Sequence, residues 1–273
     1  MKWVFGAAVA GATALALAFL TLPLVALFVH VPPGDLVDAL GGRAARDAVV
    51  VSLETSAIAH VAVLVVGTPA AYALARGFRG RTLVLSLIEL PLVLPPAVAG
   101  IALLVTFGRF GLLGGTLDAL GIRLAFTQAA VVLAVAFVES PLYLRGAIAS
   151  FETVDPTLVD AARTLGAGPA RVFARVALPL ASRGLAASSA LALARGLGEF
   201  GATILFAGSL QGVTQTLPLA IYAQFEVNLD TALAIGALFV VLGGVILLSI
   251  KVLPGWTRFA SSFASRYATT PSS

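Results

Sequence analysis

Cysteine is missing from all 273 residues, methionine occurs once and histidine twice. Without thiols the chain can form neither a disulfide framework nor a thiolate metal centre, and two histidines exclude a His-rich site. Charge is nearly as scarce. Asp, Glu, Lys and Arg make up 11% of the chain against 59% hydrophobic residues, and the mean hydropathy is +1.03. Those values lie far outside the range of soluble domains, so most of the chain must face lipid or other apolar helices. No Gly-x-x-x-x-Gly-Lys-Ser/Thr sequence is present, so no P-loop holds nucleotide phosphates here. Neither a metal-ligand cluster nor a supported Ser/His/Asp set is visible, which argues against a membrane enzyme. The formal charge of +4 and a pI near 10 would suit nucleic acid only if the basic residues were clustered. They are scattered between apolar runs, so no nucleic-acid partner is expected.

A run of about 20 apolar residues is long enough to cross a bilayer. Such runs lie near residues 4–28, 50–75, 83–107, 125–148, 184–207 and 230–253, predicting an all-α integral membrane protein of six transmembrane helices surrounded by lipid. The first follows Met1-Lys2-Trp3 in the manner of a signal peptide, but it is roughly twice the usual length of a signal-peptide core and is read as a membrane helix. Lys and Arg beside the span ends assign the two sides. Lys2, Arg76, Arg79, Arg81, Arg145, Arg163, Arg171, Arg175, Arg183, Lys251, Arg258 and Arg266 fall together, opposite Arg43, Arg46, Arg109 and Arg123. This asymmetry places both termini and the 149–183 loop in the cytoplasm. The organisation expected is a first membrane helix with its outer loop over 1–48, a core membrane domain over 49–253, and a short, disordered cytoplasmic tail over 254–273.

Pro23, Pro91, Pro95, Pro96 and Pro141 fall inside the apolar runs. Membrane helices tolerate proline where neighbouring helices or waters pair the freed carbonyls. Pro95-Pro96 therefore marks a bend in the third helix, either lining a pathway or only improving packing. Ala194, Gly198 and Ala202, at four-residue spacing, permit close helix approach.

The 149–183 loop is longer than a plain connection requires. Asp155-Pro156 is a helix start, with Asp as N-cap and Pro at the first helical position, and Gly166 falls where a left-handed C-terminal cap belongs. A short helix should place Leu158, Ala162 and Leu165 on one face, with Asp160 and Arg163 elsewhere. Gly168-Pro169 then opens a second helix through Val172, Phe173 and Val176, expected to stop at Leu178-Pro179. A helix pair of this kind suits either a groove on a partner protein or the bilayer surface.

The order Asp160-Ala161-Ala162, three residues, Gly166, and then a run to Leu178-Pro179 resembles the Glu-Ala-Ala loop of ABC-type importer permeases. Phe151-Glu152-Thr153-Val154-Asp155 and Arg171 to Leu180 are similar to that family too, and the resemblance extends roughly from Val50 to Leu253. It implies a type I ABC importer permease fold in the cell (inner or plasma) membrane. It also implies that Asp160, Ala161, Ala162, Gly166 and Pro179 couple the chain to an ATPase subunit. Asp160 stands where the family usually has Glu; the shorter carboxylate keeps the charge and loses one methylene of reach.

Arg195-Gly196-Leu197-Gly198-Glu199-Phe200-Gly201 lies near the middle of the fifth apolar run. Charges at that depth cost on the order of 3 kcal/mol on insertion scales, so Arg195 and Glu199 should face a cavity or each other. At i and i+4 they can pair along one helix face, as a neutral internal pair or as a gate lining a pathway. Gly196-x-Gly198-x-x-Gly201 matches the dinucleotide fingerprint letter by letter but lacks the strand and βαβ unit that motif needs, so it is set aside. Glu54, Glu89 and Glu139 should be paired or snorkelling. His60 should hydrogen-bond across helices and is not expected to be a ligand.

This segment, with Gly201-Ala202-Thr203 and the run Thr214-Gln215-Thr216-Leu217-Pro218-Leu219-Ala220-Ile221-Tyr222, resembles the molybdate and tungstate branch of these permeases. Sulfate permeases share the Gly-Glu-Phe-Gly core and are the alternative; an ATP-independent secondary transporter is a more distant one. The resemblance implies a homodimer with the pathway at its interface, two ATP-binding subunits carrying ATP and Mg²⁺, and a periplasmic or extracellular solute-binding protein. No cofactor or metal is expected on this chain. A divalent anion entering a cell that is negative inside climbs roughly 4–5 kcal/mol per 100 mV, so energy coupling fits an anionic substrate.

Overall fold

The computed structural model describes residues 2–31, 34 and 41–252. Among the described residues five helices are long and apolar enough to cross a membrane. These are α1 (Lys2–His30), α2 (Arg43–Leu74), α6 (Gln128–Glu152), α8 (Pro169–Leu197) and α11 (Leu229–Val252). Together with the broken third span they make this a multi-pass membrane protein of all-helical architecture. The 254–273 tail lies outside the described residues.

The third span departs from a simple kinked helix. It consists of α3 (Arg81–Val93) and α4 (Pro96–Phe107), bent by 112° at the intervening residues. A residue before proline is pushed out of the helical region by the proline ring. Two consecutive prolines apply that restriction twice: Leu94 has ψ 133° and Pro95 ψ 135°, both extended, before Pro96 opens α4. A short helix, α5 (Gly114–Ala119), follows α4.

The fifth span also differs from expectation, at both ends. The helix that opens at Pro169 does not stop at Leu178-Pro179 but continues into the membrane as α8. Proline cannot donate the usual helical hydrogen bond, and its ring crowds the carbonyl four residues back. Here a π turn over Phe173–Ala177, closed by the Leu178 amide donating to the Phe173 carbonyl, widens the helix just before Pro179. The widened turn absorbs the defect. At the other end α8 finishes at Leu197, and 201–207 is a separate helix, α9 (Gly201–Ala207). The remaining elements are α7 (Pro156–Thr164), in the loop before α8, and α10 (Leu217–Phe225), before α11.

Helices α2, α6 and α8 form the centre. Small residues let α6 and α8 approach closely: a Cβ on Gly146 would fall on the Ser188 hydroxyl, and one on Gly184 on the Ser150 hydroxyl. Each helix thus supplies one glycine and one serine to the contact. Gly67 of α2 lies against the ring of Tyr143, 3.0 Å from where its Cβ would be. One apolar cluster, with Val63, Tyr143, Ile148 and Phe151, lies toward the α7 end; another, with Leu103, Val131, Val135 and Phe206, joins α4 and α9 to α6. By contrast, α1 has no buried residue and touches the rest through α11, where Leu27 approaches Gly236.

Candidate functional site

Two places combine polar chemistry with unusual backbone: the α7 loop and the break between α8 and α9. Local sequence dictates both ends of α7. The Asp155 carboxylate accepts from the Thr157 amide at 2.9 Å and the Thr157 hydroxyl at 2.8 Å, and Pro156 occupies the first helical position. Those two bonds favour the charged form and hold the Asp155 carboxyl below the usual carboxylate range. At the far end Gly166 has φ +82°. Its amide donates to the Arg163 carbonyl and that of Ala167 to the Ala162 carbonyl, a Schellman closure that favours glycine.

No residue of α7 is buried. Val159 and Ala162 are half-buried on the protein side, while Leu158, Ala161 and Leu165 are exposed. Ala162 therefore does not share the outward ridge expected of it; Ala161 takes that place, as i, i+3, i+7 spacing requires. Leu165 is 87% exposed. Arg163 donates to Asp160 at 3.2 Å, and both line a cleft of about 300 Å³ with Tyr72, Arg76, Phe151 and Glu152. Pro179 stands apart from this group, on α8 two residues past the π turn. Beneath α7 lies a contact that sequence reasoning missed: Tyr72, Phe151 and Phe173 pack with centroids 4.9–6.3 Å apart. The Arg76 guanidinium covers Tyr72 at 4.2 Å, and Arg81 pairs with Glu152. Their sequence separation hides this cluster; only the Phe173 ring, next to a charged loop, hinted at it.

The second place is built across three elements. Arg195 donates to Glu199 Oε2 at 2.9 Å, and the Ala202 amide donates to Oε1 at 2.8 Å. The expected pair is present, but not along a continuous helix. Its carboxylate bridges the break and supplies an acceptor to the first turn of α9. Glu199 is 2% exposed, whereas 40% of the Arg195 side chain remains accessible. Arg195 also lines a narrow cavity of about 50 Å³ with Pro91, Leu92, Leu94, Pro96, Ala99 and Val138. The broken third span is fitted against this break. A Cβ on Gly201 would come within 2.6 Å of Pro96 Cβ, and one on Gly100 within 2.7 Å of the Ala202 carbonyl oxygen. Two glycines of the Gly-x-Gly-x-x-Gly sequence thus serve helix packing: Gly196 faces Glu139 and Gly201 faces Pro96.

Of the remaining intramembrane polar groups, His60 does hydrogen-bond across helices. Its Nδ1 meets Glu139 Oε1 and its Nε2 lies 2.8 Å from Ser189 Oγ. Glu89 lies 3.6 Å from Arg145, and Glu54 is exposed. Among the described residues no group of three His, Cys, Asp or Glu could hold a metal ion.

A family model described as binding-protein-dependent transport system inner membrane component matches residues 64–253, spanning both places. The molybdenum transport system permease protein ModB of Mycobacterium tuberculosis is 43% identical over 251 residues, 91% of this chain and 93% of that protein. ModB of Escherichia coli K12 is 46% identical over 181 residues, 66% of this chain and 79% of its own length. Among solved structures, a chain of a bacterial alginate ABC transporter in complex with an alginate pentasaccharide-bound periplasmic protein superposes with a TM-score of 0.74. At 17% identity it covers 92% of this chain and 93% of its own, which establishes a shared fold.

Proposed function

This chain belongs to the family of binding-protein-dependent transport system inner membrane components, and from that membership we propose that it imports molybdate or tungstate as the permease subunit of an ATP-driven transporter. Two copies enclose the pathway. Two ATPase subunits, carrying ATP and Mg²⁺, bind at the α7 end on the cytoplasmic side, and a solute-binding protein delivers the anion at the other. The identity to molybdenum permeases over 91% of the chain supports the substrate class.

The observation that carries the mechanism is the continuity of α8. One helix joins the exposed, capped α7 loop to the Arg195–Glu199 break. Asp160, Ala161, Ala162 and Gly166 form the docking element, with Leu158 and Leu165 as its apolar contacts. Pro179 contributes from within α8, through the π turn that precedes it. Closure of the ATPase pair pulls on α7, α8 moves with it, and the break opens or shuts. The Arg195 guanidinium, whose fixed fork of donors matches an oxyanion, exchanges between Glu199 and the passing anion. Hydrolysis returns the assembly to its starting state.

The test is ATP-dependent uptake of labelled molybdate, tungstate and sulfate into proteoliposomes holding this chain, its ATPase and its binding protein, with Gly166→Asp as control. Gly166 has open space where a Cβ would go, so that substitution strains the φ +82° turn and places a carboxylate at the docking face without filling the core. Uptake of molybdate or tungstate that vanishes without ATP and in Gly166→Asp is expected. Uptake of sulfate alone would overturn the substrate, and uptake without the ATPase would overturn the coupling.

A further inference from the structure

The His60–Glu139 pair, joined by Ser189, has no part in the transport cycle, yet it is the most deeply buried ion pair among the described residues. Glu139 is 0% exposed, midway along α6. His60 comes from α2, and its two ring nitrogens are both engaged, one by the Glu139 carboxyl and the other by the Ser189 hydroxyl of α8. A hydroxyl can accept or donate, so the ring can carry one proton or two. Among the described residues no other titratable side chain bonds to either group; the next charges along α8 are Arg183 on one side of Ser189 and Arg195 on the other, with Glu199 past its end.

The second carboxyl oxygen, Glu139 Oε2, is buried and has no hydrogen-bond partner. It is aimed at Gly196 of α8, where a Cβ would stand 3.0 Å from it and 3.1 Å from Val135 Cγ1. Ser189 and Gly196 are separated by i, i+7 spacing, about two turns, and so share one face of α8. The histidine and the carboxylate therefore clasp that face at two points. The upper point adjoins the break, because the Gly196 carbonyl accepts from the Glu199 amide at 3.0 Å. Between Glu139 and the backbone of α8 there is no side chain to yield.

We propose that Glu139, fixed by His60, is a positioning residue that sets where α8 ends and hence where Arg195 and Glu199 meet. This rests on the break being the gate of the transporter proposed above, but its test does not require transport. The chain has no cysteine. Gly198 is exposed, and the atoms nearest its would-be Cβ are 3.9 Å away, so Gly198→Cys places a reporter thiol in the break without crowding. In the resting complex of this chain with its ATPase subunits, the rate of maleimide labelling of Gly198→Cys is measured alone and combined with each of three substitutions.

Glu139→Ala withdraws the clasp and Gly196→Ala presses a methyl group against it; each is expected to change the labelling rate at least fivefold. Glu139→Gln keeps both the shape against Gly196 and a bond to His60, and is expected to stay within twofold. A rate left within twofold by both Glu139→Ala and Gly196→Ala overturns the proposal even if the complex loses stability, as does a Glu139→Gln shift equal to that of Glu139→Ala. If Glu139→Ala fails to assemble, Gly196→Ala decides, since it leaves the pair in place. A wild-type complex that takes up none of molybdate, tungstate and sulfate would defeat the transport reading while leaving the labelling result standing.

Discussion

The α7 loop and the α8–α9 break hold their charged residues in opposite ways. In α7 no residue is buried, both caps come from within the segment, and the Asp160–Arg163 pair is exposed. At the break, Glu199 is enclosed, its two bonds tie the end of α8 to α9, and Gly201 and Gly100 let α4 approach to backbone contact. The loop is a finished local structure with an open outer face, suited to a partner that comes and goes. The break is a joint among parts of one chain, and its geometry exists only while all of them are in register.

On that contrast, the largest effect belongs to the break. Glu199→Ala removes the acceptor for the Ala202 amide and leaves Arg195 unpaired. Breaking a buried pair costs about 3–5 kcal/mol, reduced here because Arg195 is partly accessible, so a loss of ATP-dependent uptake on the order of 100-fold is expected. Uptake within threefold of wild type would mean the carboxylate is incidental. Next comes Gly100→Ala, whose methyl group meets the Ala202 backbone and cannot be relieved by a side-chain rotation. Overpacking of this kind costs about 1–3 kcal/mol, read as a lower Tm of the purified complex; an unchanged Tm would show that α4 and α9 separate freely.

A smaller effect is expected from the loop, and of a different kind. Leu165→Ala should leave the Tm of the chain alone unchanged, because the side chain is 87% exposed. Affinity for the ATPase should fall about tenfold, in line with burial of a leucine on docking. A drop in Tm with unaltered affinity would reverse the assignment. The smallest effect is that of Asp155→Ala, which removes the N-cap and should speed amide exchange over 157–160 several-fold without touching the break. The same loosening should occur in wild type in acid. The folded carboxyl is lowered, so its contribution is present above the ordinary aspartate pKa and disappears as pH falls through the folded value. Protection of these amides, relative to their intrinsic exchange, that stays constant as pH falls past the ordinary aspartate pKa would exclude the cap.

This contrast also explains what the sequence made legible. Asp155, Pro156 and Gly166 announce α7 because capping is decided within a few residues. The six apolar runs were equally plain, and the charged pair in the fifth was found from the cost of charge in lipid. What escaped was where that run ends. The Leu178-Pro179 stop rests on a rule for helices that have water as an alternative partner. In a membrane the backbone must stay paired, and a π turn is the smaller concession. The break between Leu197 and Gly201 depends on Pro96 and Gly100, about a hundred positions earlier, and the His60–Glu139 contact joins residues 79 apart. No local pattern records such distances.

Seen as a mechanical part, α8 is a rod. Its 29 residues at about 1.5 Å each make it roughly 43 Å long. A rod delivers at one end nearly the displacement imposed at the other, and its interlock with α6 through alternating glycine and serine restrains it from bowing. Compliance is concentrated in the π turn, the single irregular turn along its length. Stiffness beyond that turn and slack within it would make Phe173–Ala177 the place where stroke is lost, and straightening the turn would lengthen the travel delivered to the break.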